Sequence, residues 1–362
     1  MVTRRLIVPL VAAAALGSAC TGASPGADKA GDVRGETIVL RMASTPWSLE
    51  DVPPIADFRR NVEALSSGTI RINVVDQWGD YAPDAEVQVV RAVASGKADL
   101  GWAGSRVFDT LGVPTFQALS APMLIDSYPL EDAVLRSAAP SQMLPILTRI
   151  GVTGLAVLGD ELRFPISIHR PLLTPADWRA VAVGTYRSQV QEDAIRALGA
   201  RPVEAFGAFR SHDLANGTIQ AFELDLRRYA RQGLAAQAPY VAANVALWPE
   251  FNVLFANPSR LSSLTDQQRQ WLEQAARDAA DTSVGTARES DPSIGRACSM
   301  GARFASATEA DLAAIRHSFA VVYEAIETDP RTRAFVQQIQ RLKDSARPSP
   351  APDIPAGCAL TV

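Results

Sequence analysis

Histidine and cysteine are scarce in this chain, with three of each in 362 residues. His169, His212 and His317 are scattered, and none belongs to a metal-ligand spacing such as HExxH. His169 and His212 read as surface residues, and no metal or cofactor is called for. The chain also lacks a GxSxG nucleophile elbow, a phosphate-cradling Walker loop and a GxGxxG turn. The enzyme classes that depend on those devices are excluded, and a secreted hydrolase finds no motif to rest on. No block of Lys and Arg is present, and the formal net charge is −4. Nucleic-acid binding is excluded with it, because neutralising phosphates needs clustered cations. No internal repeat occurs, and the one N-terminal apolar run, Leu6 to Leu16, is too short to cross a bilayer as a stable helix.

What is present is an ordinary globular composition, 47% apolar and 20% charged, long enough for two domains. Arg4 and Arg5 precede the apolar run, and Leu16-Gly17-Ser18-Ala19-Cys20 follows it. A positive start, a short apolar run and small residues describe a secretory signal peptide. Small residues directly before Cys20 also resemble a bacterial lipobox, in which cleavage leaves a lipid-modified Cys20. Residues 1–19 are then removed, and Thr21 to Gly35, rich in Gly, Ala, Ser and Asp, is a flexible tether behind the anchor. The mature chain carries 33 basic and 39 acidic side chains, a net charge of −6. Export to an oxidising compartment makes a Cys298–Cys358 disulfide the economical reading, stapling the Pro-rich tail 345–362 to the body. Two free thiols or an intermolecular bridge are the alternatives.

Along the mature chain, Glu36 to Ala43 alternates as a first strand. Ile55, Phe58, Val62 and Leu65 share a helical face that ends at Ser66-Ser67-Gly68. Ile70, Ile72 and Val74 form a second strand, and Asp84 stands at the N-cap of a helix bearing Val87, Val90 and Val93. Ala98 to Trp102 is a third strand. Strand–helix–strand–helix–strand predicts a mostly parallel α/β sheet, with ligands beyond the C-terminal strand ends. Trp47, the loop near Trp78 and the segment Gly101 to Ser105 lie at such ends. Arg170 to Leu226 repeats the logic with strands at Ala180–Val183 and Pro202–Phe206 around a helix that ends at Gly199. Further on, Thr265 and Gln268 form a capping box before a helix from Asp266. Thr308 caps a helix carrying Leu312, Ile315, Phe319, Val322 and Ile326, and Phe335, Ile339 and Leu342 mark a last short one.

LSSGTIRINVV, VQVVRAVASGKADLGWAGS and LSAPMLIDS, then HRPLLTPADWRAVAV, ALGARPVEAF and LANGTIQAFELDL, resemble in order and spacing the solute-binding component of tripartite ATP-independent periplasmic (TRAP) transporters. The resemblance covers Glu36 to Lys343. It implies an α/β, two-domain periplasmic-binding-protein-like fold with a hinge and a central ligand cleft. Domain I would comprise 36–160 plus about 249–287, and domain II 161–248 plus about 288–344. It implies a binding protein rather than an enzyme, delivering a small organic ligand to membrane permease subunits. The alternative is a repurposed scaffold acting as a ligand sensor or interaction lipoprotein. The family's ligand-carboxylate arginine falls on Gly184 here, and a family asparagine on Leu224. A second family arginine falls on Arg163, a family aromatic on Phe206 and a family glutamate on Glu223. Arg187 then stands to replace the guanidinium missing at Gly184. Glu223 would orient Arg163 or Arg187, or meet an amine on the ligand. Trp47, Trp102 and Tyr186 would supply stacking surface. Loss of two polar groups points to an organic acid less acidic than a dicarboxylate, or to an aromatic one.

Overall fold

The computed structural model describes residues 37–205, 207–284, 290–346 and 352–360. The expected signal peptide, Cys20 and the site candidate Phe206 lie outside them. Ten strands among the described residues are β1 (Ile38–Ala43), β2 (Ile70–Val75), β3 (Leu100–Gly104), β4 (Thr153–Ser167), β5 (Ala182–Thr185), β6 (Arg201–Glu204), β7 (Ala221–Leu224), β8 (Tyr240–Ala242), β9 (Trp248–Ala256) and β10 (Arg303–Ala305). They run in the order β2-β1-β3-β9-β4-β7-β5-β6, with β8 beside β4 and β10 beside β8.

Two parallel groups stand on either side of β4 and β9. β1 is parallel to β2 and β3, and β5 is parallel to β6 and β7. β9 lies antiparallel between β3 and β4, and β7 lies antiparallel to β4. β4 thus pairs with β9 through its first part and with β7 and β8 through its end, running through both halves. Its register with β9 shifts between Gly159 and Leu162, so Asp160 and Glu161 form an irregular step in the strand that joins the halves.

The sequence signals explain most elements. Helix Pro53–Leu65 fully buries Ile55, Phe58 and Val62, each burial contributing roughly 1.5–3 kcal/mol. That face meets helix Asp266–Ser283 along Ala275, Ala276 and Ala279, whose small side chains let the two helices approach closely. The Thr265–Gln268 capping box is formed, and Thr308 is boxed with Asp311. Asp84 stands before helix Ala85–Ala94 but caps no backbone N–H; its carboxylate accepts from the Gln88 amide instead.

Two expectations at the C-terminal end are corrected. The run from Leu312 to Ile326 is two helices, Glu309–Ser318 and Ala320–Ile326, meeting at Phe319. The apolar spacing carries across the break because both helices bury the same side. The last helix is long rather than short, Pro330–Ser345, started by Asp329 accepting from the Thr332 N–H with Pro330 at its first position. This helix packs on Pro114–Phe116, Gln117–Ser120 and Tyr128–Arg136, all from the first part of the chain. Lys343 fixes it there, donating to the carbonyls of Met123 and Leu124 and to Asp126. Cys298 and Cys358 are joined in a disulfide, Cα–Cα 5.7 Å, and Leu360 donates to the Phe304 carbonyl beside it. The tail is thereby held against β10. Among the described residues no helix is long and apolar enough to cross a membrane.

Candidate functional site

The C-terminal ends of both parallel groups open on one cavity of about 440 Å³. Thr45, Pro46 and Trp47 follow β1, Tyr81 follows β2 and Arg106 follows β3. Tyr186 follows β5, Gly207 and Ser211 follow β6, and Arg228 and Arg231 follow β7. Arg163 on β4 and Glu250 and Asn252 on β9 complete it between the two groups. Loops at the carboxyl ends of parallel strands converge because every such strand ends on the same edge.

A chain of buried ion pairs crosses the cavity. Arg106 donates through Nη2 to Glu86 at 2.8 Å and through Nη1 to Glu250 at 2.5 Å. The other Glu250 oxygen accepts from Arg163, whose Nη1 lies 3.1 Å from Glu223. The order is therefore Glu86–Arg106–Glu250–Arg163–Glu223, joining helix Ala85–Ala94 in the first half to β7 in the second. The Tyr186 ring lies under both guanidinium groups, 4.3 Å from Arg106 and 5.3 Å from Arg163. Burial pushes the Tyr186 phenol up, but the guanidinium groups of Arg210, Arg163 and Arg106 outweigh it and hold the phenol below the usual tyrosine range. Burial pushes the Glu223 carboxyl up against the pull of Arg163, Arg106 and Arg210, and it stays raised.

A second charged group lies around the step in β4. Arg228 is held by Asp160 and, at 2.8 Å, by Asp225, and Arg227 by Glu161 and, at 3.2 Å, by Asp160. Burial and the Asp225 charge push the Glu161 carboxyl up to about 8 despite Arg227. Burial, followed by Asp160, Asp132 and Glu161, holds Glu131 well above the usual carboxylate range. The halves also meet at Asp109, whose carboxylate accepts from Ser188 Oγ at 2.9 Å and from the Val190 N–H at 3.1 Å. Burial raises Asp109 to about 6 although these donors oppose it.

Of the residues singled out in the sequence, Arg163, Trp47, Trp102 and Tyr186 line the cavity. Trp102 is buried, with its indole N–H 3.3 Å from Ser44 Oγ, whereas Trp47 is 72% exposed at the rim. Glu223 stands behind the wall and pairs with Arg163. Arg187 is not brought to the cavity: it is partly exposed and pairs with Glu204 at 2.7 Å. Gly184 is buried, and a Cβ there would meet Ile219 Cδ1 at 2.9 Å, so its side of β5 faces packed side chains. The sequence reading missed Arg106, Glu86, Glu250, Tyr81 and Arg228. Arg106 was within reach, one residue past the strand end already marked at Ser105.

The arrangement is that of a two-domain α/β periplasmic-binding-protein fold with a cavity at the strand ends. The model for bacterial extracellular solute-binding protein, family 7, matches residues 53–329, and the chain belongs to that family. Members are extracytoplasmic transport binding proteins rather than enzymes. Solved structures with the same fold are TRAP periplasmic solute-binding proteins. One from Ralstonia eutropha H16, with bound (S)-2-hydroxy-2-methyl-3-oxobutanoate, has a TM-score of 0.77 at 19% identity, over 85% of this chain and 99% of that one. One from Roseobacter denitrificans, with bound β-D-glucuronate, gives 0.74 at 20% identity, over 83% and 99%. One from Polaromonas sp. JS666, bound to D-erythronate, gives 0.74 at 16% identity, over 86% and 100%.

Proposed function

We propose that this protein captures a small organic acid, less acidic than a dicarboxylate, in the 440 Å³ cavity and passes it to TRAP-type permease subunits. The observation that carries the reading is a cavity at the strand ends walled by guanidinium groups and by Trp47, Trp102, Tyr81 and Tyr186. Guanidinium groups suit carboxylates, and the ring faces suit the carbon skeleton. The hydroxy and sugar acids held by the similar proteins support the same chemistry. The acid enters between the halves, contacts both, and favours the closed arrangement by binding it better than the open one. Closure moves about β4 and β9, which belong to both halves. Cys20, lipid-modified after removal of residues 1–19, tethers the protein to the outer face of the cell membrane through 20–35.

The test is thermal unfolding of the mature protein against uronates, aldonates, 2-hydroxy acids and aromatic acids. An acid present at a hundred times its Kd stabilises the folded state by about 2.7 kcal/mol. A concentration-dependent rise in Tm with at least one acid supports the reading, and none across the panel removes it. Anchoring is tested separately, by incorporation of a labelled fatty acid that a Cys20→Ser variant loses.

A further inference from the structure

We infer that Arg210 is the residue that takes the ligand carboxylate, from its place against Gly207 at the cavity wall. The inference rests on the solute-binding reading above and names the contact that selects an acid.

The guanidinium groups on the cavity wall already hold carboxylates. Arg106 holds Glu86 and Glu250, and Arg163 holds Glu250 and Glu223. Arg228 holds Asp160 and Asp225, and Arg231 holds Asp51 at 2.6 Å. An incoming acid finds these forks occupied and meets the negative charge of Glu86 and Glu250 on entry.

Arg210 differs. It is 5% exposed, yet among the described residues no carboxylate lies within ion-pair distance of it. Its Nη1 reaches the Gln232 amide oxygen at 3.4 Å, and its guanidinium lies 4.9 Å from the centre of the Phe222 ring. Arg210 pulls on the Glu223 carboxyl from beyond ion-pair distance, and a buried guanidinium whose fork holds no carboxylate is suited to take one.

Arg210 is not itself among the lining residues, but it stands directly against residues that are. Gly207, Gln232 and Tyr186 all line the cavity. A Cβ on Gly207 would point to 2.9 Å from the Tyr186 hydroxyl and to 3.4 and 3.6 Å from the two terminal nitrogens of Arg210. The Gly207 backbone is therefore in close contact with these donors, and the missing side chain is what lets the Tyr186 hydroxyl and the Arg210 guanidinium come up to the wall here. Phe222, over which Arg210 stacks, is the register partner of Gly184 on the neighbouring strand. No side chain from residue 184 competes for that face of the sheet. A carboxylate entering along the wall accepts from the Arg210 fork and from the Tyr186 hydroxyl together, a charge-assisted set. Tyr186 also stacks on Arg106 and Arg163, which ties the anchor to the ion chain.

The experiment is titration calorimetry on the mature protein and on Arg210→Met, Arg210→Lys and Gly207→Ala. The probes are D-glucuronate, D-galacturonate, D-erythronate and 2-hydroxy-2-methyl-3-oxobutanoate, each with its primary amide. Arg210→Met is expected to weaken the bound acid by roughly 30-fold or more, the scale for truncating one partner of a buried charge pair. It should leave the amide, already weak on the parent, within threefold. Arg210→Lys should recover part of the loss, and Gly207→Ala should weaken the acid by pushing the Tyr186 hydroxyl and the Arg210 guanidinium off the wall without removing a charge. Should Arg210→Met fail to fold, the lysine and alanine variants carry the decision alone. Equal losses for acid and amide, or acid binding within threefold of the parent in Arg210→Met and Gly207→Ala, overturn the inference and leave the solute-binding reading standing. No binding of any of the four acids to the parent overturns the inference by itself; the wider acid panel above decides the solute-binding reading.

Discussion

Glu250 is the one carboxylate that joins Arg106 to Arg163, and replacing it with glutamine should cost the unliganded protein about 3 kcal/mol. Its two oxygens each serve a different guanidinium, with Arg106 at 2.5 Å. In Glu250→Gln the amide oxygen serves one of them, and the amide NH2 turns a donor toward the other. Breaking a buried pair this way typically costs 3–5 kcal/mol because a buried charge loses its match. The low end applies because Arg106 keeps Glu86 at 2.8 Å and Arg163 keeps Glu223 at 3.1 Å. For a chain of this size each kcal/mol moves Tm by roughly 2 °C, so the variant should melt about 6 °C lower. The assay is thermal unfolding together with urea unfolding at pH 7, with the urea dependence checked for an unchanged slope. A second reading follows from the same geometry. With the bridging charge gone, the Arg106–Arg163 pair should welcome an added carboxylate, so an organic acid should stabilise the variant by more degrees than it does the parent. A variant melting within 1 °C of the parent would mean that the bridge contributes nothing, and the account of a pre-neutralised cleft would fall.

Asp109 should give the protein a pH dependence that Asp109→Asn removes. Its carboxyl is raised to about 6 in the folded state against an ordinary 3.8, so the folded state binds more protons between those values. The stabilisation is complete below pH 4 and is lost as pH rises through 6, on the order of 3 kcal/mol. Urea unfolding at pH 4 and 7.5 reads most of it, and an identical pH slope in parent and variant would refute it. The Cys298–Cys358 bridge spans 60 residues, for which loop closure contributes about 4 kcal/mol. Dithiothreitol should lower unfolding stability by that order, whereas two titratable thiols per denatured, unreduced mature chain would exclude the bridge. Phe58→Ala should cost about 3–5 kcal/mol, because the ring is fully buried between its helix and Asp266–Ser283. A loss below 1 kcal/mol would show that this contact is not part of the core.

The elements that were legible in the sequence are those with one buried side. β1, β2 and helix Pro53–Leu65 alternate or repeat because one face meets the core and the other meets water. β4 and β9 were not read, and they are the strands that make the cleft. Both are buried almost throughout, so neither alternates, and the step at Asp160–Glu161 resets what pattern β4 has. Glu250, inside WPEFNVLFA, looks like an interruption of an apolar run, yet its partners stand 144 residues away at Arg106 and 87 away at Arg163. A charge inside such a run carries its meaning only once the partner strands are placed. The same holds for two arginines, one after β5 and one after β6. Arg187 and Arg210 are equally plain in sequence, one after a strand and one opening a short helix. What separates them is the partner each meets in the folded chain. Arg187 falls outward to Glu204, and Arg210 falls inward onto Phe222 behind the glycine at the cavity wall. The fold rests on periodicity, which is local, and the cavity on the ends of strands far apart in the chain, so the glycine at 184 could be read from the sequence but the residues gathered around the cavity could not.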